Sequence, residues 1–177
     1  MCCAGCSPHV IDVLKKDYVV TGYFYNPNIH PESEYQLRLS EAKNLARRLD
    51  VELLSGDYDA NEWFALTKGM EQEPEGGPRC DICFRMRLEK TAQYARDDGF
   101  DIFTTTLTVS PYKNAERINL IGTEAAQKNG VEFLERNFKK KEGFKKTMRL
   151  SRDFGLYRQN YCGCLYSREG RNFIQKE

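Results

Sequence analysis

Seven cysteines carry the strongest chemical signal in this sequence. They fall into three groups, in the stretches MCCAGCSP, RCDICF and NYCGCLYS: Cys2, Cys3, Cys6, Cys80, Cys83, Cys162 and Cys164. C-x-x-C is a chelating spacing, and an odd number of cysteines cannot be consumed by disulfides alone. We therefore expect a metal site built from thiols, while a small buried hydrophobe stays the alternative role for any single cysteine.

Composition places this chemistry in a soluble protein. The 177 residues are 40% hydrophobic and carry 27 basic against 26 acidic side chains, a formal charge of +1. One globular domain over residues 1–177 is expected, with no global attraction to nucleic acid. The start of the chain lacks a secretory pattern, and no segment reaches the roughly 20 apolar residues of a membrane span. The sequence thus predicts a cytoplasmic protein without a membrane partner, where clustered thiols more often bind metal than form disulfides.

Hydrophobic patterning predicts strands that alternate with helices. Residues Tyr18–Asn26 are β-branched and aromatic, which predicts a buried strand, and Pro31 begins a segment with apolar residues at helical spacing. Further strands are predicted for VELLSG, DIFTTTLTV and VEFLERNF, and further helices for NEWFALTKG, NAERINLIGTEAAQKNG and KKTMRLSRDFG. This alternation predicts an α/β fold, a three-layer α/β/α arrangement with a mostly parallel sheet.

The cysteines fall where such a sheet places its ligands, at the carboxyl ends of the strands. Cys80 and Cys83 lie in the predicted loop and helix start downstream of the strand VELLSG, and Cys162 and Cys164 lie beyond the last predicted strand and helix. Ser7-Pro8 predicts a helix start directly after the first cysteine group. A helix N-terminus stabilises thiolates, the form that binds metal. A strand should precede this first turn, yet the sequence opens at Met1, so either the first strand is missing from it or the sheet begins later.

Motifs across nearly the whole chain resemble the cobalamin-independent epoxyqueuosine reductase family: CCAGCSP, FYNPNIHPESEYQLRL, GDYD, RCDICFRMRLEKTA, FTTTLTVSPYKNAERIN and GLYRQNYCGCLYS. The resemblance implies an adenine-nucleotide α-hydrolase-like fold whose first strand is missing here. It also implies reduction of the epoxide of epoxyqueuosine in tRNA to queuosine, the final step of queuosine biosynthesis. The cofactors it implies are a [4Fe–4S] cluster and a separately bound mononuclear iron. The sequence departs from the family at Gly5, where proline is common.

The seven thiols suffice for both metal centres. A [4Fe–4S] cluster takes four thiolates, which leaves the others for the second iron. The preferred partition gives the cluster Cys80, Cys83 and one cysteine from each other group, although the sequence leaves the partition open. Cys6 is open as well, because a core residue at the helix start is its alternative role.

The implied reaction also needs electrons and protons. Removal of an epoxide oxygen consumes two electrons and two protons and releases water. An external electron donor is expected, because the sequence has neither a G-x-G-x-x-G nor a G-x-x-x-x-G-K-[ST] pattern. Tyr161, beside C-G-C, is the candidate catalytic proton donor, and its alternative role is packing beneath the cysteine loop. His9 and His30 fit structural or solvated positions.

A basic segment near the C-terminus is the candidate tRNA-binding surface. Residues 136–152 hold eight basic residues and one acid, whereas residues 57–75 hold six acids and one lysine. Phe138 and Phe144 interleave with the lysines, as on phosphate-contacting surfaces. A solvated face is the simpler interpretation of a lysine run. The candidate residues are Lys139, Lys140, Lys141, Lys145, Lys146 and Arg149.

The stretch TTTLTVSPYKN offers hydroxyls and an ammonium at a predicted strand end, with Pro111 expected to mark that end. These groups would hydrogen-bond the modified base or its ring hydroxyls, or else be ordinary strand and turn residues. The candidate substrate-binding residues are Thr104, Thr105, Thr106, Ser110 and Lys113.

Two other functions compete with the reductase. A nucleic-acid-binding module would use the C-x-x-C and C-G-C cysteines for a structural zinc ion, but this leaves Cys2, Cys3 and Cys6 unexplained. A tRNA thiolation enzyme would need a glycine-rich pyrophosphate loop to bind ATP, and the sequence has none.

Overall fold

The computed structural model describes residues 1–168, where its elements include six α-helices, four short strands and a helical turn at residues 165–168. Two short 3-10 helices cover Ala4–Cys6 and Thr106–Val109. The other elements are α1 (Pro8–Leu14), β1 (Thr21–Phe24), α2 (Glu32–Arg48), β2 (Glu52–Ser55), α3 (Ala60–Thr67), α4 (Pro78–Asp97), β3 (Ile102–Phe103), α5 (Ala115–Asn129), β4 (Glu132–Phe133) and α6 (Gly143–Asp153).

The strands form parallel pairs, as the alternating pattern predicts. β1 pairs with β2 from Thr21 opposite Glu52 to Phe24 opposite Ser55, and β3 pairs with β4. Helix α2 packs on the first pair, and α4 and α5 pack on the second. The mixed α/β class is therefore confirmed, and the parallel strands with their helices fit a three-layer α/β/α arrangement.

Three predicted strands are much shorter than expected, and one of them is VEFLERNF, of which only Glu132–Phe133 form a strand. The strand predicted over Tyr18–Asn26 is confined to β1, because Tyr18 and Val19 are exposed to solvent. The strand predicted for DIFTTTLTV ends at Phe103, so the prediction that Pro111 marks its end is wrong. The cause is local: the Thr105 hydroxyl accepts a hydrogen bond from the Leu107 amide and starts a 3-10 helix.

A cleft of about 170 Å³ separates the two strand pairs. Tyr23 of β1 and Phe103 of β3 line its edges, while Val10 of α1 and Leu88 of α4 line its walls. Met1 lies in the cleft, and its amine donates a hydrogen bond to the Tyr23 carbonyl. Within residues 1–168 no strand joins β1 to β3, and the strand expected to precede the cysteines stays a prediction.

Helix α4 is the main structural support of the middle cysteine pair. Gly77 precedes it and Pro78 occupies its first position, where the missing N–H costs nothing. The middle of α4 packs against α5 through Leu88 and Ile118, which are almost fully buried. Burial of such side chains stabilises the fold by about 1.5–3 kcal/mol each. Of α4, only a helix start near Cys80 and Cys83 is predicted from sequence, whereas the helix extends to Asp97. Among the described helices, none combines the length and apolar character of a membrane span.

Candidate metal centre

Helix α4 presents the C-x-x-C cysteines from its first two turns. Cys80 and Cys83 are three residues apart and therefore share one face of the helix. Cys83 is buried and Cys80 is half-buried, with the Gly76 amide donating to the Cys80 sulfur at 3.2 Å. Burial raises the pKa of Cys83 to about 11 and also raises that of Cys80. In the metal-free protein both are therefore thiols at neutral pH.

The C-G-C loop is held in place by a buried arginine. Arg38 on α2 is 2% exposed and donates to the carbonyl oxygens of Tyr161 at 3.3 Å and Cys162 at 2.9 Å. Its Nε also forms an ion pair with Glu34 at 2.7 Å. Gly163 adopts φ +135, and a Cβ there would lie 3.2 Å from Arg38 Nη1. Positive φ and close packing both require glycine between the two cysteines.

The fold brings the C-x-x-C and C-G-C cysteines together. Cys83 and Cys164 belong to one apolar cluster with Trp63 and Tyr25. After burial, the Cys162 and Cys164 sulfurs contribute to the raised pKa of Cys83, as neighbouring thiolates do. Burial likewise raises the pKa of Cys164, whose sulfur accepts the Ser167 amide at 3.4 Å. Four thiols from two distant parts of the chain thus share one neighbourhood.

The first cysteine group forms a separate cluster of three thiols. The sulfur atoms of Cys2, Cys3 and Cys6 all lie within 4.8 Å of one another, a spacing that suits one metal ion. Thr106 donates to the Cys2 sulfur at 3.3 Å and accepts from the Cys2 amide at 3.1 Å. Gln159 donates to the Cys3 sulfur at 2.9 Å. Hydrogen bonds from two distant segments therefore orient this group.

Crowding of these three thiols lowers the pKa of one of them and raises the pKa of the other two. Hydrogen bonds from Cys3 and Cys6 hold the pKa of Cys2 well below its usual value, against the effect of burial. The same contact with Cys2, together with burial, raises the pKa of Cys3 to about 12. The pKa of Cys6 is raised for the same reasons. A bound metal ion would displace the remaining protons.

Lys113 connects the substrate-binding candidates to the cysteines. Its ammonium donates to the Cys162 sulfur at 3.4 Å. Burial acts to lower the pKa of Lys113, but the Cys162 and Cys2 sulfurs outweigh burial and raise it above the ordinary value. Lys139 donates to the Lys113 carbonyl at 2.5 Å and to the Ser110 carbonyl at 3.3 Å. Lys139 is half-buried and therefore supports the Lys113 loop.

The other substrate-binding candidates have partners within the protein. Thr104 donates to the Leu134 carbonyl at 2.9 Å, and the Ser110 hydroxyl accepts from the Tyr112 amide at 3.3 Å. Thr105 starts the 3-10 helix, and Thr106 holds Cys2. These contacts match the alternative interpretation as turn residues. Contact with the modified base stays a prediction for this set.

Tyr161 lies beneath the C-G-C loop. Its hydroxyl is buried and donates to the His30 carbonyl at 2.5 Å, and the Arg38 guanidinium lies 5.1 Å from the centre of its ring. Burial raises the pKa of Tyr161, which further disfavours proton release. These contacts favour the packing role that the sequence left open. The proton-donor role stays a prediction and gains no support from this geometry.

The basic segment is divided between the interior and the surface. Phe138 is buried in an apolar cluster with Val10 and Val109, so it is unavailable for base stacking. Helix α6 packs against α1 and against the 3-10 helix that carries Cys6. The basic surface consists of the exposed residues of the segment that are tRNA-binding candidates: Lys140, Lys141, Lys145, Lys146 and Arg149. This surface therefore flanks the first cysteine group, while contact with tRNA stays a prediction.

Sequence reasoning missed three buried arginines around the cysteines. Besides Arg38, Arg79 donates to the Met70 carbonyl at 2.8 Å, and Arg87 donates to the Asn26 side chain at 2.5 Å. The sequence does indicate that Arg38 is buried, because it lies three residues after Tyr35 on the apolar stripe of α2. A charged residue at a core-facing helical position indicates a buried partner, here a carbonyl-rich loop.

Comparisons with known proteins agree on one family. The family model described as Epoxyqueuosine reductase QueH matches residues 1–170. The chain is 42% identical to the Histophilus somni protein named Epoxyqueuosine reductase QueH, over 97% of this chain and 71% of the relative. It is also similar to the proteins of that name from Haemophilus influenzae, with 42% identity over 99% of this chain and 73% of the relative, and Thermotoga maritima, with 38% identity over 92% and 86%.

Proposed function

The chain belongs to the epoxyqueuosine reductase QueH family of oxidoreductases, and on that premise we propose that it converts epoxyqueuosine in tRNA to queuosine with thiol-bound iron. The balanced reaction adds two electrons and two protons to the epoxide and yields an alkene and water. The electrons come from an external donor, since the sequence carries no nicotinamide or flavin motif.

The observation that carries the proposal is that the seven free thiols lie in two neighbourhoods: Cys2, Cys3 and Cys6 within 4.8 Å of one another, and a group of four around the packed pair Cys83 and Cys164. The group of four fits a [4Fe–4S] cluster: Cys80, Cys83, Cys162 and Cys164. Cys2, Cys3 and Cys6 fit a mononuclear iron, because their sulfur atoms already lie within 4.8 Å of one another. This partition differs from the one preferred from sequence, which took one cluster ligand from the first group and stays a prediction.

The protein's own groups orient these ligands before iron binds. Arg38 holds the carbonyl oxygens that flank Cys162, Thr106 orients Cys2, and Gln159 orients Cys3. When bound, the two iron centres would supply the reducing electrons and a Lewis acid for the epoxide oxygen. Cys80 and Cys162 are half-buried, whereas Cys83 and Cys164 are buried. The side of Cys80 and Cys162 is therefore the one open to substrate.

The basic surface on α6 and the loop before it is where we place the tRNA backbone. Lysines and arginines there can neutralise phosphates without reading sequence. The surface flanks Cys2, Cys3 and Cys6 because α6 packs on the 3-10 helix that ends at Cys6. A tRNA bound at this surface would have its modified base near the proposed iron site.

Single cysteine substitutions test the partition. Cys83→Ser should remove most of the iron and nearly all of the acid-labile sulfide, because it breaks the group of four. Cys6→Ser should remove about one iron and leave about four sulfides per chain. Ser40→Ala, at an exposed position on α2, is the control and should keep full iron and sulfide. Sulfide loss in Cys6→Ser, or unchanged sulfide in Cys83→Ser, would overturn the partition.

A further inference from the structure

Tyr112 presents an exposed aromatic ring on the loop of residues 110–114, which precedes α5. It is 78% exposed, against 39% for Tyr18 and 36% for Phe64. A single exposed apolar side chain is common on a protein surface and by itself indicates no function. Tyr112 differs in the loop that carries it and in the hollow that lies beside it.

The loop of residues 110–114 is held at both ends. The Ser110 hydroxyl accepts the Tyr112 amide at 3.3 Å, and the Lys139 ammonium donates to the carbonyls of Ser110 and Lys113. Immediately after Lys113, the Asn114 side chain accepts two amides from the first turn of α5. The backbone that carries the ring is therefore fixed before any ligand binds, which lowers the entropic cost of binding.

A hollow of about 440 Å³ opens beside the ring, a volume within the usual range of small-ligand sites. Its lining combines one acid, Glu116, with the basic residues Lys113 and Lys139. Asn137 also lines it, and the buried oxygen of its side chain has no hydrogen-bond partner among residues 1–168. An acceptor without a donor is costly, so the hollow favours a ligand that carries an N–H group.

The hollow lies next to both parts of the proposed tRNA path. Three and four residues after Asn137, the exposed Lys140 and Lys141 belong to the basic surface. On the other side, Lys113 directly follows Tyr112, and its ammonium lies 3.4 Å from the Cys162 sulfur. A nucleic acid that runs from the basic surface to the thiols therefore passes the Tyr112 ring.

Unpaired bases of RNA are commonly bound by stacking on aromatic side chains, and every base carries an N–H donor on its edge. We propose that Tyr112 and the hollow form a nucleobase subsite. The ring stacks on the base next to epoxyqueuosine in tRNA, and Asn137 accepts a hydrogen bond from the edge of that base. The inference rests on the proposed function and extends it to a second nucleotide. Tyr112 binds this nucleotide and takes no part in the chemical step.

The test is the affinity for tRNA that carries epoxyqueuosine, measured by fluorescence anisotropy. Tyr112→Ala should weaken binding at least about fivefold, because one stacked base is lost, whereas Tyr112→Phe should bind like wild type. The slope of log affinity against log salt should stay unchanged in Tyr112→Ala, since no phosphate contact is removed. Leu120→Ala, at a 61% exposed position on α5, is the matched control and should bind like wild type.

Asn137→Ala should weaken binding at least about twofold through the lost hydrogen bond. Equal affinity of wild type and Tyr112→Ala would overturn the stacking, as would an equal loss in Leu120→Ala. Equal affinity of wild type and Asn137→Ala would overturn the hydrogen bond. Wild type that neither binds nor reduces this tRNA contradicts the proposed function, whereas wild type that does both no better than Tyr112→Ala contradicts this inference alone.

Discussion

Replacement of Arg38 by methionine should destabilise the protein and release the C-G-C loop. The substitution removes a buried ion pair with Glu34 and two hydrogen bonds to the carbonyls of Tyr161 and Cys162. Loss of one partner of a buried pair costs about 3–5 kcal/mol. Tyr157 still donates to Glu34, and the freed loop can hydrate its carbonyls, so we expect about 3 kcal/mol in the free energy of unfolding.

The assay is urea denaturation of the metal-free protein, followed by the fluorescence of Trp63, the single tryptophan, which is 1% exposed. Arg96→Met removes an exposed ion pair with Asp97 and should change stability by less than about 0.5 kcal/mol. Iron uptake should also fall in Arg38→Met, because its loop carries two of the four proposed cluster ligands. A stability change below about 1 kcal/mol with normal iron uptake would refute the role assigned to Arg38.

Three further experiments test the roles of Tyr161, His30 and the basic surface. Tyr161→Phe should lower the free energy of unfolding by about 1–2 kcal/mol, because the buried His30 carbonyl loses its hydrogen-bond donor. Turnover per iron-loaded protein should be retained. Loss of turnover with intact iron would support the proton-donor role instead. Burial lowers the pKa of His30 to about 4, so the unfolded chain takes up the proton first as pH falls below about 6.5. The free energy of unfolding of the metal-free protein should therefore fall by up to about 3 kcal/mol as the pH drops from about 6.5 to 4. His30→Gln should remove that part of the decline. If wild type and variant lose stability equally with falling pH, the burial of His30 is not the cause. Charge reversal at Lys140 and Lys141 should weaken tRNA binding at least about tenfold in 0.1 M salt and flatten its salt dependence, unlike Lys43→Glu; unchanged binding would exclude this surface.

Much of the fold follows from local pattern, but the strand lengths do not. Helices α2, α3, α5 and α6 lie where apolar spacing predicts them, and β2 lies within VELLSG. β3 has only two residues, because its length depends on pairing with β4 and on the Thr105 side chain that starts a 3-10 helix. The strands that pair are distant in sequence. The threonine hydroxyl also accepts a nearby backbone amide that could otherwise hydrogen-bond to a neighbouring strand.

The candidate site shows the same division between local and distant causes. Cysteine types and spacings indicate a metal centre without any structure. Which groups meet is decided by contacts between distant elements: Trp63 packs with Cys83 and Cys164, and Arg38 anchors the C-G-C loop. Lys139 illustrates the limit for charged residues, because a lysine within a basic run is expected to face solvent. Its ammonium instead has two backbone carbonyl partners.

We propose that the seven thiols bind a [4Fe–4S] cluster and a separate iron. The most direct test is to measure iron and acid-labile sulfide per chain after anaerobic purification, and to record the visible spectrum before and after dithionite. A [4Fe–4S] cluster with a separate iron would give about five irons and four sulfides per chain, with a brown absorption that bleaches on reduction. Colourless protein with about one zinc bound by four thiols would contradict it and would indicate a structural metal site instead.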